Sequence, residues 1–253
     1  MKFVVLGAGA LGCAMGSCLS EAGHEVWLIN RRADHVEAMN QHGLSVRING
    51  VDRTILVQAA RNAQEIAAKT GTVDLIVVLV KSFHTLEAIT SATSIVGPNT
   101  VVLSLQNGLG HEDVLADVVG RDKVLAGKTY AGGVMLGPGQ VIRGTDGKET
   151  YIGELDGRMT ERVQRIAQAF NDAGLITHIS DNIMGTIWDK LLVNVATGAL
   201  SGITRLAYGD LYQVPEVKDC ALAAVQEAMD VARACGIGLS VNDPEQQIGR
   251  AHV

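Results

Sequence analysis

Gly7-Ala8-Gly9-Ala10-Leu11-Gly12 stands between a β-prone run, Lys2-Phe-Val-Val-Leu6, and a stretch rich in small and apolar residues that reaches Ala22. A chain that passes from strand to helix across three glycines at this spacing has few ways to fold. The first glycine permits the tight turn, the second lets backbone approach a ligand, and the third lets the helix lie close on the strand. The opening N–H groups of such a helix lack intrahelical partners and can face a phosphate. With 29 glycines in the chain the spacing alone would mean little, but a second β-prone run at His24–Ile29 completes the pattern of a dinucleotide-binding turn. A secretory leader fits poorly, since leader cores are Leu-rich rather than punctuated by glycine.

Further along, β-prone runs recur at 3–6, 26–29, 44–48, 55–58, 75–80 and 101–105, with helical stretches after several of them. This alternation predicts a mostly parallel, doubly wound α/β sheet of Rossmann type, covered by helices. Leu75-Ile-Val-Val-Leu-Val80 has no polar position, as a strand buried on both faces requires. From Val124 to Ile152 short β-prone pieces alternate with Gly-rich turns and are expected to extend the sheet with antiparallel strands. A helix over 158–172 and a strand over 175–179 follow, after which the pattern is purely helical, at 183–203 and 216–235. The expected organisation is therefore a dinucleotide-binding domain over 1–181 and an all-α domain over 182–253.

Composition narrows the partners. A net charge of −6 with 19% charged residues offers no basic surface for nucleic acid. In the helical second half, the uncharged apolar stretch Leu191 to Ile203 is too short to span a bilayer. A cytoplasmic protein acting on a small molecule is expected, with no membrane and no nucleic-acid partner. Cys13, Cys18, Cys220 and Cys235 lack ligand spacing, so they are expected to be buried, reduced thiols, with no metal site.

The second strand ends Ile29-Asn30-Arg31-Arg32. NAD-binding versions of this turn place an acidic residue there for the ribose 2′-hydroxyl; here two guanidiniums follow instead, which favours the 2′-phosphate of NADPH/NADP. An Arg pair solvated at a helix start is the plainer alternative. Two further segments leave strand carboxyl ends, Val80-Lys81-Ser82 and Gln106-Asn107-Gly108-Leu109-Gly110. Lys81 would add charge near the phosphates, and Asn107 offers both a donor and an acceptor.

Within the apolar helix over 183–203, Lys190, Asn194, Thr197 and Ser201 fall at i, i+4, i+7 and i+11 and form one polar stripe. Lys190 is the only cation of that helix. In a partly desolvated site its ammonium is a proton donor and stabilises negative charge on a ketone oxygen. A surface lysine beside Asp189 is the bland alternative.

Taken together, the glycine turn, Arg31, Lys81, Gln106-Asn107-Gly108 and Trp188-Asp-Lys190-Leu-Leu-Val-Asn194 resemble the ketopantoate reductases (2-dehydropantoate 2-reductases), over residues 1 to about 240. The resemblance implies NADPH-dependent reduction of 2-dehydropantoate to (R)-pantoate, a step of pantothenate and coenzyme A biosynthesis. It also implies a second domain like the C-terminal helical domain of 6-phosphogluconate dehydrogenases. By position, Gly7, Ala8, Gly9, Ala10, Leu11 and Gly12 would hold the pyrophosphate, and Arg31 and Lys81 the 2′-phosphate. Asn107 would border nicotinamide and substrate, Ala131 the cofactor, Lys190 would be the general acid, and Asn194 would bind substrate, with Ser201 further along the same stripe.

Two departures from the family pattern stand out. A second asparagine, common four residues after the position of Asn194, is replaced by Gly198, which opens the reading to another 2-oxo acid. The family's downstream serine and glutamate have no counterpart before Val253. The ending, Ile248-Gly-Arg-Ala-His-Val253, corresponds to one reading frame of a common sequencing adapter, so residues 248–253 are expected to be non-native and the helical domain incomplete. A non-catalytic NADP(H)-binding regulator is the competing class. Apolar bands on the second-domain helices leave a homodimer open.

Overall fold

Phe3, Val4, Val5 and Leu6 are all buried, and the strand they form lies in the interior of the molecule's main sheet. The computed structural model describes residues 1–249. The expectation of a non-native ending over 248–253 falls at and beyond the end of these described residues. Two compact units make up the chain, Met1–Asp181 and Asn182–Val253.

In chain order the first unit comprises β1 (Lys2–Leu6), α1 (Ala10–Glu21), β2 (Glu25–Ile29), α2 (Ala33–His42), β3 (Leu44–Ile48), β4 (Val51–Ile55), β5 (Gln58–Ala60) and α3 (Ala63–Thr70). It continues with β6 (Leu75–Val78), α4 (Thr85–Ser91), β7 (Val101–Ser104), α5 (His111–Val119), β8 (Val124–Thr129), β9 (Gly132–Gly137), β10 (Gln140–Gly144), β11 (Thr150–Glu154), α6 (Glu161–Asp172) and β12 (Thr177–Ile179). The main sheet has eight strands in the order β12-β11-β8-β7-β6-β1-β2-β5. From β5 to β8 every pairing is parallel, and the chain leaves β1 first toward β2 and then toward β6. That reversal is the switch point at which open α/β sheets bind ligands, beyond the strand carboxyl ends.

β6 and β7 are buried along their whole length, as expected of strands with helices on both faces. Two expectations are corrected. Leu44–Ile48 does not join the parallel sheet: β3 pairs with β4 and β10 in a separate four-stranded sheet, β4-β3-β10-β9. Its burial alternates, with Leu44 and Val46 inward, so only one face is covered and a place between two helix layers is closed to it. Of the strands between 124 and 152, β8 and β11 extend the main sheet, whereas β9 and β10 turn into the smaller one. Helix α1 fills the space between the sheets, its Cys13, Met15 and Cys18 sharing one core with Val46 and Val141. A third correction divides the run expected over 55–58 into the end of β4 and the start of β5, around Leu56, which is 82% exposed.

The second unit contains α7 (Ile183–Thr204), α8 (Tyr208–Leu211), α9 (Pro215–Ala234) and α10 (Pro244–Gly249). Leu192 and Ala196 of α7 form its core with Ala221, Val225 and Met229 of α9. Asn182 starts α7, its Oδ1 accepting from Gly185 N at 3.2 Å and its Nδ2 donating to the Gly238 carbonyl at 2.8 Å. Only Cys13 and Cys18 are buried; Cys220 and Cys235 are exposed, contrary to expectation. Cys220 lies off the α9 face that buries Ala221, Val225, Met229 and Ala232. Among the described residues no helix is long and apolar enough to cross a membrane, and no group of three His, Cys, Asp or Glu is set to hold a metal.

Candidate active site

Each glycine of the turn between β1 and α1 has a distinct surrounding. Gly7 has φ +111°, and a Cβ there would lie 2.6 Å from Val80 N. A Cβ on Gly12 would collide with the Gly7 carbonyl oxygen and stand 3.0 Å from a Val5 methyl. On Gly9 the same atom would meet nothing within 4 Å. The outer glycines are therefore required by internal packing, while Gly9 borders open space. Gly9 is also the N-cap of α1, with no side-chain cap, and the first helical bond runs from Cys13 N to the Gly9 carbonyl at 2.8 Å. The N–H groups of Ala10, Leu11 and Gly12 precede that bond and form a cradle for an anion. These features fit the pyrophosphate of a dinucleotide.

The peptide that enters the cradle is fixed from behind. The Ala8 carbonyl accepts from Asn30 Nδ2 at 2.7 Å and from His35 Nε2 at 3.1 Å. His35 Nδ1 accepts from Gly139 N at 2.8 Å, so the ring is neutral with its proton on Nε2, and burial holds its pKa below the ordinary value. His35 thus ties the glycine turn to the β9–β10 hairpin. Beside it, burial pushes the Cys13 thiol up to about 12, which leaves it an inert apolar filler. His35 was not singled out from sequence; its one signal is its place on the buried face of α2, with Val36 and Met39.

The ends of β2 and β5 lie side by side, with Ile29 in register with Ala60. Asn30 is engaged inward, its Oδ1 accepting from Arg32 N at 2.9 Å. Arg31 is exposed and reaches His84 Nε2 at 2.9 Å and Glu87 at 3.3 Å. Arg32 does not join it: it pairs with Asp34 at 2.5 Å. Of the two guanidiniums expected at the phosphate, Arg31 turns toward the loop after β6 and Arg32 toward Asp34. A cavity of about 390 Å³ beside β5 is lined by Arg31, Arg61, Asn62 and Glu65. A larger recess of about 590 Å³ lies at the amino ends of β6 to β8, around Asp74, Val101 and Lys123, at the wrong end of the sheet. Its charges serve the fold: Asp74 accepts from Lys2 N at 2.8 Å, and Arg162 pairs with Glu154 at 2.5 Å.

Lys81 follows β6 and is exposed, at the head of a short 3₁₀ turn over 82–84. Gln106 links the loops after β6 and β7, its Nε2 donating to the Val80 carbonyl at 2.9 Å and to Thr85 Oγ1 at 2.8 Å. That bracing presents Asn107, which is exposed and whose carbonyl accepts from His111 Nε2 at 2.9 Å. Ala131 joins β8 to β9, and a Cβ on the nearby Gly133 would meet the Ala10 carbonyl oxygen at 2.8 Å. The segment containing Ala131 therefore borders the start of α1. Gly7 to Gly12, Arg31, Lys81, Asn107 and Ala131 all lie on the carboxyl side of the main sheet.

In the second unit the polar stripe of α7 is not uniform. Lys190 is half-buried and Asn194 exposed. Thr197 is fully buried, its hydroxyl donating to the Val193 carbonyl at 2.8 Å, and Ser201 donates to the Leu206 carbonyl at 2.8 Å, closing the turn after the helix. Asp189 accepts from Ser240 N at 3.1 Å, which gives that carboxylate a structural partner. A Cβ on Gly198 would meet nothing within 4 Å, so room exists for a side chain there.

Two family profiles match the chain, Ketopantoate reductase PanE/ApbA over residues 3–157 and Ketopantoate reductase PanE/ApbA C terminal over residues 182–252. A 2-dehydropantoate 2-reductase of Pyrococcus abyssi is 35% identical over 241 residues, covering 95% of this chain and 77% of that protein. The homologue from Halobacterium salinarum is 34% identical, with 95% and 78% covered. Among solved structures, a PanE/ApbA family ketopantoate reductase from Ralstonia eutropha superposes with a TM-score of 0.87 at 35% identity, covering 99% of this chain and 80% of that one. A D-mandelate dehydrogenase solved with NADH and anilino(oxo)acetate gives a TM-score of 0.89 at 27% identity, covering 100% and 79%.

Proposed function

The chain belongs to the ketopantoate reductase family, and from that membership we propose that it reduces 2-dehydropantoate to (R)-pantoate with NADPH in the cytoplasm, a step toward pantothenate and coenzyme A. The observation that carries the reading is the cradle at Gly9, open where a phosphate would sit and closed by packing at Gly7 and Gly12. Gly7, Ala8, Gly9, Ala10, Leu11 and Gly12 would hold the pyrophosphate, Arg31 and Lys81 the 2′-phosphate, and Asn107 and Ala131 would border the nicotinamide. Bound there, the nicotinamide supplies a hydride to the carbonyl carbon of the substrate.

The chain's own residues then have three tasks. Lys190 polarises the carbonyl through its ammonium charge and passes a proton from Nζ to the oxygen as the alkoxide forms, and the resulting amine regains a proton from water. Asn194 holds the substrate through its amide, with Ser201 further along the same helix. Asn107, presented by Gln106, orients the reacting face. NADPH is favoured over NADH because no carboxylate ends β2 and Arg31 stands there instead. The D-mandelate dehydrogenase solved with NADH keeps the competing choice of cofactor concrete.

Substituting Lys190→Ala and following NADPH oxidation with 2-dehydropantoate tests the chemistry. Loss of a general acid lowers kcat by about 10²–10⁴, while the NADPH dissociation constant should stay within about twofold, because Lys190 is given no part in holding the cofactor. An unchanged kcat removes Lys190 from the mechanism. A wild-type chain that binds NADPH but turns over no 2-oxo acid favours the regulator reading. A higher kcat/KM with a 2-oxo acid other than 2-dehydropantoate reassigns the substrate and keeps the reaction type.

A further inference from the structure

The guanidinium of Arg61 accounts for no ion pair among the described residues, although it lies one residue beyond the carboxyl end of β5 and lines the cavity beside Arg31. We propose that Arg61 is a specificity-determining residue, supplying the uncompensated positive charge that selects the 2′-phosphate of NADPH over the 2′-hydroxyl of NADH. The inference rests on the NADPH reading and deepens it.

Charge accounting singles out Arg61. Arg31 is shared with the Glu87 carboxylate at 3.3 Å and with His84, so its charge is already partly neutralised before any ligand arrives. Arg32 is engaged with Asp34. Glu65, the acidic group of the cavity, has its oxygens directed at the α3 cap: Oε1 accepts from Asn62 Nδ2 at 2.8 Å and Oε2 from Arg61 N at 3.3 Å. Asn62 in turn accepts from Glu65 N at 3.0 Å. This reciprocal cap fixes the backbone from which Arg61 projects and keeps the Glu65 carboxylate on the helix end. The sheet supplies the rest. Ile29 is opposite Ala60, and Asn30 N donates to the Ala60 carbonyl at 3.2 Å, so Arg31 and Arg61 leave adjacent strands at nearly the same height. Two guanidiniums flanking one cavity at this place suit a dianionic ribose phosphate, held from two sides by charge-assisted bonds.

The experiment is a titration of the full chain with NADPH and with NADH, read as dissociation constants from ligand fluorescence or calorimetry, for wild type, Arg61→Ala and Arg61→Lys. Wild type is expected to bind NADPH at least about tenfold more tightly. In Arg61→Ala that preference should collapse by about tenfold, entirely through weaker NADPH binding, with the NADH constant within about twofold of wild type. Arg61→Lys should recover part of the preference. An unchanged NADH constant also serves as the folding control. Equal weakening of both cofactors overturns the inference, since it would make Arg61 a support for the adenosine and not a reader of the phosphate. A preference kept intact in Arg61→Ala overturns it too and leaves Arg31 and Lys81 as the readers. A wild type without preference for NADPH refutes the underlying cofactor reading itself, an outcome visible before any variant is made.

Discussion

Gly9 and Gly12 offer the sharpest residue-scale contrast, because a Cβ would enter open space at one and collide with backbone at the other. Gly9→Ala should therefore leave thermal stability close to wild type and weaken cofactor binding, as the methyl occupies the cradle. Gly12→Ala should lower stability by about 1–3 kcal/mol, the usual cost of overpacking, and its soluble yield should fall. Melting curves with and without cofactor separate the two; equal losses of stability at both positions would contradict the division of roles. A second residue-scale consequence concerns His35. Burial holds its pKa below the ordinary 6.5, so the unfolded chain binds the proton first as pH falls. Stability from this group is fully present above about pH 6.5 and is lost as pH falls toward its folded value, because a proton on Nδ1 would face the Gly139 N–H. His24 shifts the same way, again chiefly through burial. Urea midpoints measured between pH 7.5 and 5 should fall with acid in wild type and fall less in His35→Gln. An equal slope in the two proteins would remove His35 as the acid-sensitive group.

At the scale of elements, the inner strands β1, β6 and β7 of the main sheet were legible in the sequence because burial on both faces writes itself as an unbroken apolar run, as in Leu75-Ile-Val-Val. The smaller sheet was not read, although Leu44-Ser-Val-Arg-Ile carries the alternation of a strand covered on one side. Periodicity assigns a face to a strand and leaves its partner open; β10 begins at Gln140, 92 residues after β3 ends at Ile48, and only tertiary packing selects that pair. Site residues divide in the same way. Gly7 to Gly12 follow a spacing and were visible, whereas His35 and Arg61 act through neighbours more than 20 residues distant and carry no local signature. Helix α7 holds the element-scale prediction. Gly198 sits in mid-helix with space where a Cβ would go, and a mid-helix glycine costs about 0.5–1 kcal/mol relative to alanine. Gly198→Ala should raise the melting temperature, and Gly198→Asn, which restores the amide common in the family, should lower KM for 2-dehydropantoate with little change in NADPH affinity. A KM that does not respond would place residue 198 outside the substrate's reach.

For the whole molecule, the division into Met1–Asp181 and Asn182–Val253 separates the residues proposed to hold the cofactor from those proposed to do the chemistry. Every residue proposed to hold NADPH belongs to the first unit, and Lys190, Asn194 and Ser201 belong to the second. A ligand that binds only folded protein stabilises it by about 2.7 kcal/mol at a hundred times its dissociation constant. NADPH at that excess should therefore protect the amides of β1, α1, β2 and β5 from hydrogen exchange, while α9, which contributes no assigned residue, gains far less. Lys190→Ala should reproduce the wild-type pattern, since it alters the proton and not the cradle. Gly9→Ala should lose the protection at NADPH concentrations that saturate wild type, with exchange in the absence of cofactor unchanged. Protection spread evenly over both units would mean that cofactor binding and the helical unit are energetically one, and the assignment of cofactor affinity to the first unit would have to be given up.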